Sequence, residues 1–113
     1  MSKIEYTGWI GRDNWIGFTL RKGNPVANLT ESEMITISNY GFRYQGVEYN
    51  TVTNPSQCRI TEEIALIEFQ VGQIISVAGV DSKCELLVYT SLAPAGVVWG
   101  DYFVLTMKDD ALD

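Results

Sequence analysis

The fold is decided by residues Lys83–Met107, which read KCELLVYTSLAPAGVVWGDYFVLTM. Two runs in this stretch, Lys83–Tyr89 and Val97–Met107, are rich in β-branched and aromatic residues. The segment between them contains Pro94 and Gly96, which are residue types that interrupt regular structure. The pattern is typical of two strands that fold back on each other around a longer turn, so we predict a β-hairpin here.

The predicted hairpin is apolar on both of its faces. Cys84, Leu86 and Val88 alternate along one face of its first strand, while Leu87 and Tyr89 make the opposite face partly apolar. Such strands have to be covered on both sides, by a second sheet on one face and by a partner or a neighbouring segment on the other. We therefore expect the hairpin to lie at the centre of the fold.

Two further stretches predict strands. In Trp15–Lys22, the apolar residues Ile16, Phe18 and Leu20 alternate with small or polar ones, as in a strand that is half buried against a core. Phe42–Tyr49 has Gln-Gly at its middle, a pair that suits a tight turn, and we expect it to fold into a second hairpin.

The stretch after residue 29 is compatible with a helix or a strand. Thr30 and Glu33 have the spacing of a helix capping box. The run that follows, Met34–Ser38, is short and contains β-branched residues. We predict a strand after a turn, with the helix as the alternative.

The secondary structure of residues 57–71 is ambiguous in the same way. Thr61 is placed to cap a helix whose first turn holds two glutamates. The apolar residues of this stretch nevertheless alternate with period two, which favours strands at Gln57–Ile60 and Ile64–Val71.

These patterns together predict an all-β protein. About seven or eight short antiparallel strands, with turn signals about every 8 to 12 residues, favour a β-sandwich over a mixed fold. Residues 1–113 are expected to form a single domain. Within it, residues 1–13 hold either a first strand or an extended N-terminal arm, and the acidic residues 109–113 are expected to fray.

The charge of the chain disfavours nucleic acid as a partner. The 113 residues carry a formal net charge of −6 with a pI near 4.5, and the eight basic residues are scattered. The first residues lack the apolar core of a signal sequence, and no run is long enough to cross a bilayer. We expect no membrane contact and folding in a cytosol, where Cys58 and Cys84 are buried free thiols rather than a disulfide.

The residue types needed for common catalytic chemistry are missing. The chain contains no histidine, so neither a Ser-His-Asp nor a Cys-His arrangement can be built. The carboxylate pairs Glu62-Glu63 and Asp109-Asp110 fall in predicted loop or tail positions, where solvated charge explains them. The carboxylates also lack the order of a calcium loop, and no glycine-rich phosphate loop occurs. We predict no enzymatic activity, no cofactor and no metal site.

Aromatic residues are the remaining candidates for function. The chain has three Trp, six Tyr and four Phe, more than the core of one small sandwich usually holds. Because aromatic side chains often anchor protein interfaces, some of these are expected to contact a partner. The candidate interface residues are Trp9, Trp15, Tyr89, Trp99 and Tyr102, each with a place in the core as the alternative.

Several short segments together resemble a known family. They are a strand ending in Phe18–Lys22, the turn Asn28–Thr30, the strand Met34–Ile37 and two late strands at Cys84–Tyr89 and Gly100–Leu105. Their order resembles the immunoglobulin-like domains of tailed-bacteriophage structural proteins, above all the N-terminal domain of baseplate upper proteins. The resemblance covers most of residues 14–108. It implies an immunoglobulin-like β-sandwich and brings no catalytic residues with it.

The resemblance implies a function in particle assembly. A protein of this kind would be a non-enzymatic structural or adaptor component of the virion, in the baseplate, tail or neck or as capsid decoration, and would assemble in the host cytoplasm. Its partners would be other virion proteins and copies of itself in a homo-oligomer. Three departures from the family favour a free-standing component: Asn28 in place of Asp, an enlarged Phe42–Tyr49 hairpin and no fibre or receptor-binding extension.

A second hypothesis belongs to a different class. The acidic surface and the surplus of aromatic residues also fit a small intracellular binding module, such as an inhibitor of a host protein. A single stoichiometric partner in the host would distinguish this module from a particle component.

Overall fold

The computed structural model describes residues 4–23, 25–100 and 102–109. This part of the chain forms eleven strands, two short α-helices and two 3-10 turns, which confirms the all-β class. The strands are β1 (Glu5–Trp9), β2 (Trp15–Thr19), β3 (Arg21–Lys22), β4 (Ala27–Asn28), β5 (Ile37–Tyr44), β6 (Val47–Asn50), β7 (Cys58–Thr61), β8 (Leu66–Gln70), β9 (Gly79–Thr90), β10 (Ala93–Val98) and β11 (Phe103–Lys108). The helices are α1 (Glu31–Ile35) and α2 (Val71–Ile74), and the 3-10 turns span Pro55–Gln57 and Glu62–Ile64.

The long strand β9 is the centre of the larger sheet. This sheet has the order β1-β11-β9-β5-β6, and β10 also pairs with β9. One edge of β9 is taken by β5, and β10 and β11 follow each other along the opposite edge. The prediction that this segment lies at the centre of the fold is therefore confirmed.

The first and last strands form a parallel pair. Glu5 lies opposite Val104 and Trp9 lies opposite Lys108, so β1 and β11 run in the same direction. The prediction that all strands are antiparallel is wrong for this pair. Parallel neighbours need a long connection between them, and here nearly the whole domain separates the two strands in sequence.

A smaller sheet covers one face of the larger sheet. It has the order β2-β8-β7, with both pairs antiparallel. Between the sheets, the ring centroids of Phe18 and Phe103 are 4.7 Å apart, and those of Phe42 and Phe69 are 5.0 Å apart. Such tilted and edge-to-face ring pairs stabilise a core beyond the effect of their buried area. The two sheets thus share one apolar core.

The hairpin at Lys83–Met107 is confirmed with two differences. The turn is shorter than predicted, because Thr90 already pairs with Ala93 and only two residues connect the strands. The second strand is also divided into β10 and β11. Gly100 lies in the interruption with a φ of +71°, a conformation that a regular strand does not contain.

Both faces of β9 are covered, as predicted. Leu86 and Val88 belong to the shared core. Leu87 and Val104 alternate with core residues and face away from the core, yet each is only 6% exposed. Because a single chain produces this burial, neighbouring side chains rather than a partner cover these two residues.

The prediction of a strand at Met34–Ser38 is wrong for its first half. Residues 31–35 form α1, and the strand β5 begins only at Ile37. The capping box is complete, because Thr30 and Glu33 each bond the other's backbone N–H. Met34, with 2% exposure, anchors the helix to the core. The cap and this one buried side chain together outweigh the β-branched composition.

The other sequence predictions are mostly confirmed. Residues 57–71 form the strands β7 and β8 rather than a helix, although Ile64 lies in a 3-10 turn and Val71 begins α2. Trp15–Lys22 is extended but is interrupted at Leu20, so it forms β2 and β3. Phe42–Tyr49 forms the hairpin of β5 and β6, whose turn residues Gln45 and Gly46 both have positive φ.

The two ends of the chain lie partly outside the described residues. Of the alternatives for residues 1–13, residues 5–9 form a strand, and residues 1–3 are not described. The predicted acidic tail is described only at Asp109. Neither helix of the described part has the length and apolar character needed to span a bilayer.

Candidate functional site

Four connections meet at one end of the domain, which we call the loop end. They are the β3–β4 hairpin, α1, the 3-10 turn Glu62–Ile64 and the β9–β10 turn. The helix α1 lies beside the 3-10 turn, and the backbone N–H of Leu20 donates to the Ala65 oxygen at 2.8 Å. After α1, β5 begins with Ile37 opposite Thr90 at the end of β9. The ends of both sheets therefore converge here.

The loop end contains a groove with a volume of about 340 Å³. Its floor is apolar and includes Leu29 and Val88, which are both buried. Trp99, Leu92, Lys22 and residues of α1 also line the groove. A groove of this size falls at the lower end of the range of about 300–1,000 Å³ that is typical of ligand sites.

An ionic contact ties α1 to β3 at the rim of the groove. Glu33 accepts a hydrogen bond from the Thr30 backbone N–H at 2.9 Å through one carboxylate oxygen. Its other oxygen pairs with the Lys22 ammonium group. The Lys22 contact first and the Thr30 N–H second hold the pKa of Glu33 below its ordinary value of 4.5. At neutral pH this carboxylate is therefore ionised.

Leu92 is the most exposed large apolar side chain among the described residues, at 95%. It occupies the two-residue turn between β9 and β10, where the backbone N–H of Ala93 donates to the Thr90 hydroxyl at 3.2 Å. A side chain at the tip of a turn adds nothing to the core of its own domain. Because Leu92 also borders an apolar groove, it is well placed to be buried by another molecule.

Other connections of the loop end also expose apolar side chains. Val26 lies between β3 and β4 and is 69% exposed, Ile35 ends α1 and is 66% exposed, and Ile64 ends the 3-10 turn and is 51% exposed. Single exposed apolar residues are common on proteins, but several on adjoining connections mark an interaction surface. The loop end therefore brings several exposed apolar side chains together on adjoining connections.

Carboxylates surround these apolar side chains. Glu31 lies at the start of α1, and Glu62 and Glu63 lie in the 3-10 turn beside it. All three residues are exposed. Within the described part of the chain, none of the three forms an ion pair, in contrast to Glu33. The loop end thus combines exposed apolar side chains with negative charge.

Two of the predicted interface residues, Trp9 and Trp15, lie at the opposite end of the domain. The Lys108 ammonium group is 5.7 Å from the ring centroid of Trp9, and the Arg59 guanidinium carbon is 3.8 Å from that of Trp15. Arg59 also bonds Glu68 at 2.7 Å. The rings are 36% and 37% exposed and each has a cation over it, but they belong to different sheets.

Tyr89 and Tyr102 lie on or beside the face of the larger sheet that points away from the core. The Tyr89 hydroxyl donates to Glu48 at 2.5 Å, and this bond raises the pKa of Tyr89 and lowers that of Glu48. The Lys83 ammonium group is 4.8 Å from the ring centroid of Tyr102. Both phenol rings are half-buried in contacts within the chain.

Of the five predicted interface residues, only Trp99 lines the groove. Its ring is half-buried against the core, and its backbone N–H donates to the Leu86 oxygen at 2.8 Å. The structure does not bring the other four residues to it, and their contact with a partner stays a prediction. Sequence reasoning missed Leu92, although a leucine between strand-forming runs, in the middle of a predicted turn, was a usable signal.

The two thiols are both free, as predicted, but only Cys84 is buried as predicted, whereas Cys58 is half-buried. Burial raises the pKa of Cys58 to about 11 and that of Cys84 to about 12. Both are therefore protonated at neutral pH, and protonated thiols are weak nucleophiles and weak metal ligands. In residues 4–23, 25–100 and 102–109, no group of three acidic or cysteine side chains is arranged to hold a metal ion.

Comparison of the chain with models of protein families, with curated proteins and with solved structures finds no match.

Proposed function

We propose that this chain is a non-enzymatic, immunoglobulin-like assembly domain that serves as a structural or adaptor component of a tailed-phage particle. The sequence resemblance supports a place in a phage particle, and the loop end is the surface through which the domain is proposed to associate. In this role the domain contributes surface rather than chemistry, and its partners are other virion proteins and copies of itself.

The pairing order of the strands supports the immunoglobulin-like part of the proposal. In this class, strands B, E and D form one sheet and strands C, F and G the other, with C′ beside C in variable-type domains. With β1 as strand A, the order β2-β8-β7 corresponds to B-E-D, and β11-β9-β5-β6 corresponds to G-F-C-C′. One departure from this order is β1, which pairs with the last strand, β11, instead of with β2. The other is the insertion of β3, β4 and α1 between B and C.

The observation that carries the assembly role is the groove with Leu92 fully exposed at its edge. In immunoglobulin-like domains, the B–C and F–G connections lie at the same end and commonly bind partners. Here the B–C insertion supplies α1 and the F–G turn supplies Leu92. Burial of one such leucine in an interface contributes about 1.5–3 kcal/mol.

Contacts between copies have support from an open sheet edge. In the described part of the chain, β6 pairs only with β5, so its other edge is free for a further strand. Val47 on this strand is 51% exposed. The opposite edge at β10 is less suited to pairing, because Pro94 lacks an N–H and Gly96 has a φ of +85°. Strand addition at β6 is therefore the contact between copies that we propose, ahead of β10, although β1 at the far end of the sheet also pairs with only one strand, β11, among the described residues.

Mass spectrometry of purified particles tests the proposal directly. If the chain is a structural component, particles of the phage that encodes it contain the protein at a fixed ratio to a known capsid or tail protein. Size-exclusion chromatography with light scattering on the purified protein adds the number of copies. A stable monomer that is absent from particles would contradict the proposal.

The alternative function is a small acidic binding module that acts on a host protein. Three exposed carboxylates at the loop end, Glu31, Glu62 and Glu63, form no ion pair within the described residues and favour this function, since they are suited to a basic partner surface. Affinity capture from host lysate separates the two functions. One host protein retained at equal stoichiometry, together with absence from particles, would support the module.

A further inference from the structure

We infer that the groove at the loop end binds a short segment of a partner protein that presents one bulky apolar side chain flanked by lysine or arginine. This inference rests on the proposed function and adds the chemistry of the partner to it. It differs from the aromatic interface predicted from the sequence, of which the groove includes only Trp99.

The apolar half of the inference follows from the lining of the groove. Leu29 and Val88 make a buried floor, and Trp99 and Leu92 offer an aromatic face and an aliphatic side chain above it. The volume of about 340 Å³ exceeds that of one large side chain, so a leucine, methionine or phenylalanine fits with part of its backbone. Bound in this way, the partner side chain and Leu92 would both leave water.

The basic half follows from the charge of the loop end. Its described connections carry two cations, Arg21 and Lys22, and four carboxylates, at positions 31, 33, 62 and 63, which leaves a net charge of −2. One cation is already paired, since Lys22 contacts Glu33. The excess negative charge at the loop end is therefore carried by Glu31 on α1 and by Glu62 and Glu63 in the adjacent 3-10 turn, where the residues that flank the bound side chain would meet it. Complementary positive charge speeds encounter and selects the partner.

The same charges disfavour a second copy of this chain as the occupant. Two loop ends facing each other would bring eight carboxylates together with four cations, in a protein whose net charge is −6. Like charges that face each other across an interface cost free energy. Copies of the chain are therefore expected to associate elsewhere, for example at the edge of β6.

A nuclear magnetic resonance titration tests the inference with three capped peptides. They are Lys-Lys-Leu-Lys-Lys, Lys-Lys-Ala-Lys-Lys and Glu-Glu-Leu-Glu-Glu, each added to the full chain labelled with ¹⁵N. The three tryptophan indole N–H signals make the readout specific, since Trp99 borders the groove while Trp9 and Trp15 lie at the other end. We expect saturable shifts at Trp99 and in α1 with the first peptide, weaker binding at the same signals with the second, and no saturable shift with the third.

The ranking of the peptides separates the two halves of the inference. The alanine peptide is expected to bind about tenfold more weakly than the leucine peptide, and the acidic peptide is expected to give no saturable shift. Equal shifts from the leucine and alanine peptides would overturn the apolar half. Saturable binding of the acidic peptide at Trp99 would overturn the basic half. Shifts centred on Trp9 or Trp15 would overturn the site.

A pair of matched variants locates the contact. Leu92→Ala removes most of the exposed side chain at the groove, and Val80→Ala removes one that is 79% exposed at the opposite end of β9. We expect the first variant to weaken binding of the leucine peptide about threefold or more and the second to leave it unchanged. Both sites are on the surface, so both variants retain the wild-type spectrum elsewhere. Equal effects of the two variants would contradict the inference.

Failure of this inference can be told apart from failure of the proposed function. A chain that is found in particles but does not bind the leucine peptide at Trp99 overturns the inference alone. A chain that binds this peptide but is absent from particles overturns the particle role alone.

Discussion

Thr30 sets the start of α1. Its hydroxyl accepts a hydrogen bond from the Glu33 N–H at 3.2 Å, and its own N–H donates to the Glu33 carboxylate. A helix of only five residues has little intrinsic stability, so the cap and the buried Met34 decide whether it forms. The position of Glu33, and with it the Lys22 contact at the rim of the groove, depends on this one threonine.

We expect Thr30→Ala to lower the free energy of unfolding by about 1 kcal/mol, because the Glu33 N–H loses the hydroxyl oxygen that accepts its hydrogen bond. Urea unfolding measures the change. Thr61→Ala is the matched control, since Thr61 precedes the 3-10 turn, is exposed and makes no side-chain cap bond. A loss of the same size in both variants would show that the capping box is not the cause.

The depressed pKa of Glu33 predicts a dependence on pH. A carboxylate whose pKa is lowered in the folded state stabilises the fold above its ordinary pKa, here 4.5, and this stabilisation is lost as the pH falls through the folded value. We therefore expect Glu33→Gln to unfold at lower urea concentration than wild type at neutral pH, with the difference shrinking as the pH falls below 4.5. A difference that is independent of pH would contradict an ionic role for Glu33.

At the scale of single elements, the contact between α2 and the loop before β2 leaves no room for a side chain. The Gly72 carbonyl oxygen accepts a hydrogen bond from the Gly11 N–H at 2.8 Å. A Cβ atom at residue 72 would overlap the backbone oxygen of Arg12 and would lie 2.8 Å from that of Trp9. The Trp9 oxygen accepts hydrogen bonds from the Arg12 N–H at 3.1 Å and from the Asn14 side-chain amide at 3.0 Å, so it cannot move freely.

We expect Gly72→Ala to destabilise the protein by about 2–3 kcal/mol through this overlap. Gly17→Ala is the control. There, a Cβ atom would meet only the flexible ends of side chains, Leu66 Cδ1 at 3.1 Å and Glu68 Cγ at 3.3 Å. Thermal unfolding of the two variants should show a large drop in midpoint for the first and little change for the second. A small effect at residue 72 would mean that α2 does not pack as described.

Much of the strand content follows from local sequence. Period-two alternation identified β2 through Ile16 and Phe18, and the Gln45-Gly46 pair identified the turn of the β5–β6 hairpin. These signals are local because a strand with one face on the core alternates apolar and polar residues along its own length. The sequence also contains the capping box of α1, but the β-branched composition of the residues that follow it favours a strand. In a five-residue helix, end effects outweigh composition.

The pairing of distant strands and the site could not be predicted in the same way. The parallel pair of β1 and β11 depends on where the rest of the chain places its two ends, which no local pattern records. The groove is made by residues from three separate stretches around Leu29, Val88 and Trp99. Each of these residues alone is compatible with an ordinary core position, so only their meeting at the loop end indicates a site.

At the scale of the whole molecule, function is expected to divide between two surfaces. The loop end is apolar and acidic and suits a different protein, whereas the free edge of β6 suits a further copy of the chain. Such a division allows one small domain to repeat in an assembly while it holds another component. Association through the loop end is the central claim.

Co-sedimentation of purified protein with purified phage particles tests this claim most directly. Wild type and Val80→Arg are expected to sediment with particles that lack the native copy, while Leu92→Arg stays in the supernatant, because a charge at the groove cannot be buried without a partner. Sedimentation of Leu92→Arg to the same extent as wild type, or failure of wild type to sediment, would contradict the account.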